Sequence, residues 1–180
     1  GYGYGNAKYE IKYFPGKIKR LVLAGGCFWC LANSYYNNPG VIQVTSGYVG
    51  GREFMPTYEL VKAGNSGHRE AIMIEYDSEK TSASKLINLY FSVIDPFDDG
   101  GQFIDRGENY TCAIFTDDLE EREYASSIIS NLETKFKKKV YVSIYPDTIF
   151  YKAEEYHQDY GLKNPKQMEE ELIQSGRIKK

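Results

Sequence analysis

The stretch that decides the fold is Leu21–Cys30, which reads LVLAGGCFWC. Its four leading apolar residues predict a buried strand, and the residues from Phe28 onward predict a helix. The two glycines before Cys27 allow a tight turn between the two elements. At such a turn, backbone N–H groups and the helix dipole stabilise a thiolate, which is the reactive form of cysteine. The sequence therefore predicts a reactive thiol where a strand passes into a helix.

A second thiol follows three residues later. Residues i and i+3 share one helical face, so Cys30 can reach Cys27 and close a disulfide. Three interpretations of this pair compete: two buried structural thiols, half of a zinc site completed by Cys112, His68 or His157, and a redox or nucleophilic centre. None of the other zinc candidates forms a second closely spaced pair. This favours the redox centre, with no bound metal.

Composition is that of an ordinary soluble globular protein. The chain has 180 residues, enough for one domain with a real core, and 42% of them are hydrophobic. A net charge of −3 gives no reason to expect nucleic acid as a partner, and no apolar run approaches the roughly 20 residues that span a membrane. The low, odd cysteine count argues against a disulfide-stapled secreted scaffold, and the first residues lack the layout of a signal peptide. We therefore expect a cytoplasmic monomer.

Hydrophobic periodicity predicts interleaved strands and helices, which together indicate one α+β or α/β sandwich domain. A long loop at 95–107, rich in Asp and Gly, is typical of a functional segment. We expect a catalytic domain at 18–165, an N-terminal extension at 1–17 and a peripheral helical tail at 166–180. The expected strands cover 17–24, 41–49, 68–77, 109–116 and 140–145, and the expected helices cover 28–36, 56–63, 81–93, 117–138 and 153–160.

The cysteine motif resembles the signature of the A-type peptide methionine sulfoxide reductases. Further blocks of that family follow in the same order, and together they cover about residues 21–165. An ordered set of this kind is far more specific than any single motif. The blocks are PGV at 39–41, GYVGG at 47–51, PTY at 56–58, GHREA at 67–71, DRGENY at 105–110, AIF at 113–115 and AEEYHQDY at 153–160, before NP at 164–165.

The resemblance implies both a fold and an activity. The family fold is a ferredoxin-like α+β two-layer sandwich, a mixed β-sheet with flanking helices. Its members reduce the S epimer of methionine sulfoxide, free or in proteins, hold no bound cofactor, and are regenerated by an external dithiol, usually thioredoxin. One alternative is a thioredoxin-like dithiol–disulfide oxidoreductase, since a strand followed by Cys-x-x-Cys at a helix start describes that fold too. A non-catalytic binding or zinc-stabilised module is a second alternative.

The resemblance also assigns roles to the residues of the opening motif. Cys27 matches the nucleophile, and the rings of Phe28 and Trp29 match those that hold the methyl group of the substrate. After attack Cys27 becomes a sulfenic acid, which a nearby thiol then condenses with. Cys30 is the expected resolving thiol by spacing. Cys112 is the alternative, expected on the same strand face as Tyr110 by alternation.

Four polar residues from later blocks complete the expected site. Glu70 matches the acid that protonates the sulfoxide oxygen, Tyr58 and Tyr110 match hydroxyls that contact this oxygen, and Asp105 matches a supporting carboxylate. The chemistry explains the residue types. Protonating the oxygen makes attack on the sulfur easier, and a carboxyl that gives a proton near neutral pH needs a pKa raised by burial. Glu70 stands at the start of an otherwise apolar strand, which is consistent with partial burial, although the residue taken alone would be interpreted as a solvated carboxylate at a strand end. Neutral tyrosine hydroxyls can bind the developing charge on oxygen.

The histidines and the departures from the family pattern complete the interpretation. We interpret His68 as structural, within the loop that positions Glu70, and His157 as a helix residue that makes a local hydrogen bond.

Many relatives carry an acidic residue where this chain has Ala32, which weakens any role for a carboxylate on the first helix. The tail from Lys163 carries no cysteine, so recycling is expected to use Cys30, Cys112 or direct reduction of the sulfenic acid.

Overall fold

A mixed seven-stranded sheet forms the centre of the computed structural model, which describes residues 8–9, 18–52 and 54–178. A separate two-stranded hairpin lies within the long loop that follows residue 95. In chain order the strands are β1 (Lys8–Tyr9), β2 (Ile18–Ala24), β3 (Val41–Val49), β4 (Arg69–Asp77), β5 (Gly101–Gln102), β6 (Asp105–Arg106), β7 (Cys112–Phe115), β8 (Val142–Tyr145) and β9 (Phe150–Lys152).

The strand order in the large sheet is β1-β9-β3-β4-β2-β7-β8. Neighbouring strands are antiparallel except for β7 and β8, which run parallel. Parallel strands need a crossover connection, and a long helix between β7 and β8 supplies it. In the β3–β4 register Tyr48 lies opposite Glu70, so the expected acid sits in the middle of the sheet rather than at an edge.

Helices are packed mainly on one face of this sheet. Side-chain oxygens cap three of them: Thr57 accepts from the Leu60 N–H, Ser82 from the Lys85 N–H, and Asp118 from the Glu121 N–H. The helices are α1 (Phe28–Asn33), α2 (Tyr58–Lys62), α3 (Ala83–Val93), α4 (Leu119–Phe136), α5 (Tyr160–Lys163) and α6 (Pro165–Gln174), with 3-10 turns at Glu108–Tyr110 and Glu155–His157.

The core follows the alternation of the central strands. Leu21 and Leu23 of β2 point to the face that α1, α3 and α4 cover, where they join the larger buried cluster. Val22 and Ala24 point to the opposite face and join a smaller cluster. Helices on one face of a mixed sheet give the α+β two-layer arrangement that the resemblance implied. Among the helices of the described residues, none combines the length and apolar character that a membrane span needs.

Several predicted boundaries differ from the structure. The predicted helix 28–36 ends at Asn33, because the chain tightens there into turns with i→i+3 bonds. The predicted strand 109–116 begins only at Cys112, and the residues up to Tyr110 form a 3-10 turn. The alternation argument that placed Tyr110 and Cys112 on one strand face is therefore wrong.

The segment 153–160 differs most, since a short helix was predicted there. The structure has a 3-10 turn at Glu155–His157 instead. The Gln158 side chain accepts from the Ser46 N–H at 2.9 Å and donates to the Ser46 carbonyl, also at 2.9 Å. Glu154 accepts from the Tyr48 hydroxyl at 2.8 Å. These long-range bonds to β3 outweigh local helix propensity and hold the segment in an irregular path.

The remaining predictions concern the N-terminal and C-terminal segments of the chain. The predicted extension at 1–17 lies outside the described residues except for Lys8–Tyr9, which pairs with β9. The tail is helical as predicted, but it is not peripheral. Met168 of α6 is only 2% exposed, and α6 packs against α1 and α5. The tail therefore belongs to the layer that carries the cysteine motif.

Candidate active site

Cys27 lies at the turn between β2 and α1, as the sequence predicted. Its backbone is extended (φ −60°, ψ 124°), and its carbonyl accepts the Leu31 N–H at 3.1 Å, so Cys27 is the N-cap residue of α1. Gly26 before it has φ +86°, a conformation that favours glycine. The turn leaves the Cys27 side chain half-exposed.

The second cysteine of the motif is buried beneath the first. Cys30 is 3% exposed, and both thiols are free. A hydrogen bond between the two sulfurs raises the pKa of Cys27 and lowers the pKa of Cys30. The two thiols therefore do not ionise independently of each other. The short helix α1 does not by itself keep Cys27 ionised, which differs from the simple expectation for a thiol at a helix start.

Glu70 lies directly beside the nucleophile turn. Its Oε1 accepts the Phe28 N–H at 3.2 Å, which joins the start of β4 to the first residue of α1. The carboxyl is 2% exposed, whereas a strand-end position suggested only partial burial. Burial, and next the charge of Cys27, raise the pKa of Glu70 well above its ordinary value. The raised pKa favours the protonated carboxyl, which is the form that a general acid needs.

The other three expected polar residues surround the same point. Burial raises the pKa of Tyr58 to about 12, and it also holds the pKa of Tyr110 above its ordinary value. Both hydroxyls lie close enough to Glu70, Cys27 and Asp105 for each of these charges to act on their pKa values. Asp105, half-buried on β6, has a pKa raised mainly by burial. The structure thus brings these residues of four separate sequence blocks together.

Two aromatic rings flank the cysteines. Phe28 is 1% exposed, and the partly exposed Trp29 stacks on Tyr160 with ring centroids 3.9 Å apart. The Trp29 Nε1–H donates to Nδ1 of His157 at 3.0 Å. The His157 ring in turn contacts Phe28 at 5.0 Å and Tyr58 at 4.5 Å between centroids. The two rings therefore form part of a fixed aromatic wall.

His157 is the site residue that the sequence interpretation missed. It was expected to make a local hydrogen bond, but its partner Trp29 lies 128 residues away in the chain. Burial lowers the pKa of His157 to about 4, so the ring is neutral and Nδ1 is free to accept. The motif block around His157 was visible in the sequence, but nothing in it indicated the partner.

His68 and Cys112 lie outside this cluster. His68 is buried in the loop before β4, where Nδ1 accepts the Gly51 N–H at 3.1 Å. Cys112 is 1% exposed in the core, where it lies beside the Tyr90 hydroxyl, which donates to the Ala24 carbonyl at 2.6 Å. Burial raises the pKa of Cys112 to about 12. Within residues 8–9, 18–52 and 54–178, no group of three or more His, Cys, Asp or Glu side chains is placed to hold a metal ion.

Comparison with known proteins shows the family of the chain. The family model described as peptide methionine sulfoxide reductase matches residues 19–180. The chain belongs to this family. A relative named peptide methionine sulfoxide reductase MsrA, from Halalkalibacterium halodurans, is 45% identical over 163 residues, which are 89% of this chain and 93% of the relative. One of the same name from Bacillus licheniformis is 44% identical over 89% of this chain and 90% of its own length.

Solved structures of the family share the fold. Mxr1 from Saccharomyces cerevisiae in reduced form has a TM-score of 0.77 at 29% identity and covers 86% of this chain and 90% of its own. Methionine sulfoxide reductase A of Corynebacterium diphtheriae has a TM-score of 0.75 at 26% identity, covering 84% and 77%. Mxr1 has also been solved in complex with Trx2. The expected α+β fold is confirmed, and the thioredoxin-like alternative is not supported.

Proposed function

We propose that this chain reduces the S epimer of methionine sulfoxide, free or in proteins, through attack of Cys27 on the sulfoxide sulfur. Besides family membership, one observation carries the proposal. The buried carboxyl of Glu70 accepts the Phe28 N–H beside Cys27, and its pKa is raised well above the ordinary value. This supports the pairing of an acid with a nucleophile that reduction of a sulfoxide requires.

The chemistry follows from these two groups. Glu70 protonates the sulfoxide oxygen while the Cys27 sulfur attacks, and the hydroxyls of Tyr58 and Tyr110 bind the oxygen as its charge changes. The S–O bond of the sulfoxide breaks as an S–O bond forms at Cys27, and the deprotonated Glu70 takes up the proton of the Cys27 thiol. The substrate leaves as methionine, and Cys27 is oxidised to a sulfenic acid. Asp105 supports the site as a nearby half-buried carboxylate.

We propose that Phe28 and Trp29 hold the methyl group of the substrate by sulfur–aromatic and apolar contact. The geometry of this pocket depends on Trp29, whose indole is fixed on one side by stacking on Tyr160 and on its N–H edge by His157. His157 is therefore a positioning residue that acts through Trp29.

Replacement of His157 by Phe is expected to raise KM roughly five-fold with a smaller change in kcat, because losing the bond to the indole costs about 1 kcal/mol. The ring volume is kept, so packing changes little. Steady-state kinetics on methionine S-sulfoxide measures the effect. Tyr160→Phe, which keeps the stacking ring, is the matched control and should retain the normal KM. An unchanged KM in His157→Phe would show that stacking alone fixes Trp29.

The disulfide that follows is proposed to join Cys27 and Cys30. Cys30 already shares a hydrogen bond with Cys27, whereas Cys112 lies beside Tyr90 in the core. An external dithiol then reduces this disulfide by thiol–disulfide exchange. We propose a protein of the thioredoxin class, since Mxr1 has been solved bound to Trx2.

The proposed activity is tested by incubating the protein with dithiothreitol and dabsyl-methionine S-sulfoxide, followed by chromatography of the products. We expect methionine from the S epimer and none from the R epimer, because the acid, the hydroxyls and the aromatic wall fix one handedness around sulfur. The R epimer serves as the internal control. Absence of turnover with both free and peptide-bound S-sulfoxide would refute the proposal.

A further inference from the structure

The segment after α6 brings a cation to the turn that carries Cys27. α6 ends at Gln174, and the Arg177 N–H donates back to the Leu172 carbonyl at 3.1 Å. The Arg177 guanidinium then lies against Gly26: a Cβ added at Gly26 would be 2.5 Å from Nη2 of Arg177. Its Cζ is 4.5 Å from the ring centroid of Phe103, which supports the group from one side. The charge therefore sits one residue before the nucleophile.

Two of the three guanidinium nitrogens of Arg177 have no partner. Nε and Nη2 are shielded from solvent and have no hydrogen-bond partner in the part of the chain that the structure describes. No ion pair within 4.0 Å joins Arg177 to a described carboxylate, although its charge lowers the pKa of Asp105 from a greater distance. Shielding part of a charged group without a close partner costs free energy, and an anion that forms nearby recovers part of that cost. The anions that form beside this turn during the reaction are the thiolates of the cysteine pair.

The groups that shift the pKa of Cys30 show which thiolate Arg177 stabilises. The hydrogen bond from Cys27 lowers the pKa of Cys30 most, and the charge of Arg177 lowers it further. Burial opposes this effect most, and the charges of Asp105 on β6 and Glu171 on α6 also raise the pKa of Cys30. Arg177 is the cation in this set, and its effect is larger than that of either carboxylate alone.

We infer that Arg177 promotes the closure of the disulfide by stabilising the Cys30 thiolate that attacks the oxidised Cys27. This rests on the proposed function, because the sulfenic acid at Cys27 is formed by reduction of the sulfoxide. In the step, a Cys30–Cys27 S–S bond forms and the S–O bond of the sulfenic acid breaks. The oxygen leaves as hydroxide and takes up a proton to become water, which balances the proton that the Cys30 thiol released.

A single-turnover experiment separates this step from the first one. Reduced full-length protein is mixed with one equivalent of methionine S-sulfoxide without reductant and quenched over time between pH 5 and pH 9. Methionine is counted by chromatography, and free thiols are counted by a colorimetric disulfide reagent. The chain has three cysteines, so closure of the disulfide leaves only Cys112. Dimedone traps the sulfenic acid that has not yet reacted.

Three variants are compared with the wild-type chain. Arg177→Met keeps the length of the side chain without its charge, and Arg177→Lys keeps the charge. Lys166→Met removes one exposed cation from α6, the helix that precedes Arg177. In Arg177→Met we expect the rate of disulfide closure relative to methionine formation to fall by about three- to ten-fold at pH 7, with its pH midpoint moved upward by roughly half to one unit. Arg177→Lys should restore most of the ratio, and Lys166→Met should leave it unchanged.

The outcomes are distinguishable. If no methionine forms in any variant, the proposed function fails, and this inference fails with it. If methionine forms but Arg177→Met has the wild-type ratio and pH midpoint, the inference about Arg177 alone is overturned. If Arg177→Met slows both steps equally, or if Arg177→Lys behaves like Arg177→Met, then Arg177 acts through packing rather than charge, and the inference is likewise wrong.

Discussion

Cys27→Ser should abolish reduction of methionine S-sulfoxide, whereas Cys30→Ser should still release one methionine per chain and then stop. Without Cys27 there is no nucleophile. Without Cys30 the sulfenic acid forms but has no adjacent thiol to condense with. Turnover driven by thioredoxin, its reductase and NADPH is expected to fall by on the order of 100-fold in Cys30→Ser. Dithiothreitol should recover part of the turnover, because a small thiol attacks the sulfenic acid directly.

The structure favours Cys30 over Cys112 for two physical reasons. Cys30 is hydrogen-bonded to Cys27, which lowers its pKa and increases its thiolate fraction. Cys112 lies in the core against Tyr90, and burial raises its pKa to about 12. Cys112→Ser is therefore the matched control and should cycle normally with thioredoxin. If Cys112→Ser blocks cycling while Cys30→Ser does not, the resolving thiol is Cys112.

Elements with strong local signals were predictable from the sequence. The predicted strand 68–77 matches β4 within one residue, since its apolar run is unbroken and turns bound it. The helix after 81 begins where Ser82 caps it. The segment 153–160 failed because its conformation depends on bonds from Gln158 and Glu154 to β3, more than 100 residues earlier. Local pattern carries no information about partners at that distance.

In the candidate site, too, the sequence predicted the features that depend on local pattern and missed those that depend on distant contacts. The cysteine motif predicted both its turn and the reach of Cys30 without any structure. Glu70 taken alone looked like a solvated carboxylate at the end of a strand. Its burial follows from the pairing of β4 between β2 and β3 and from α1 lying above it, which no single segment encodes. The role of Arg177 is equally non-local, because it depends on the path of the chain after α6.

Glu70→Gln is expected to lower kcat for methionine S-sulfoxide by roughly 10²- to 10⁴-fold, the usual worth of a general acid. Glutamine keeps the shape and can still accept the Phe28 N–H, but it cannot give a proton. The comparison is a pH profile of kcat for both proteins. Wild-type activity should fall as pH rises through the raised pKa of Glu70, because the active form is the protonated acid. Glu75→Gln, on the same strand, should keep the wild-type profile.

Glu70→Gln should lose activity without losing stability. Measuring the free energy of unfolding therefore separates a catalytic loss from misfolding. The pKa of Glu70 is raised in the folded protein. The contribution of the protonated carboxyl to the free energy of unfolding is therefore fully present below the ordinary pKa of about 4.5, and it is lost as pH rises through the pKa of the folded protein. Above that value the native site has to bury a charged carboxylate, and Glu70→Gln does not. We therefore expect Glu70→Gln to be at least as stable as the wild-type chain at pH 8, measured by urea unfolding. A variant that is inactive and also clearly less stable at this pH would instead indicate that Glu70 is a structural carboxylate, and the assignment of the acid would fail.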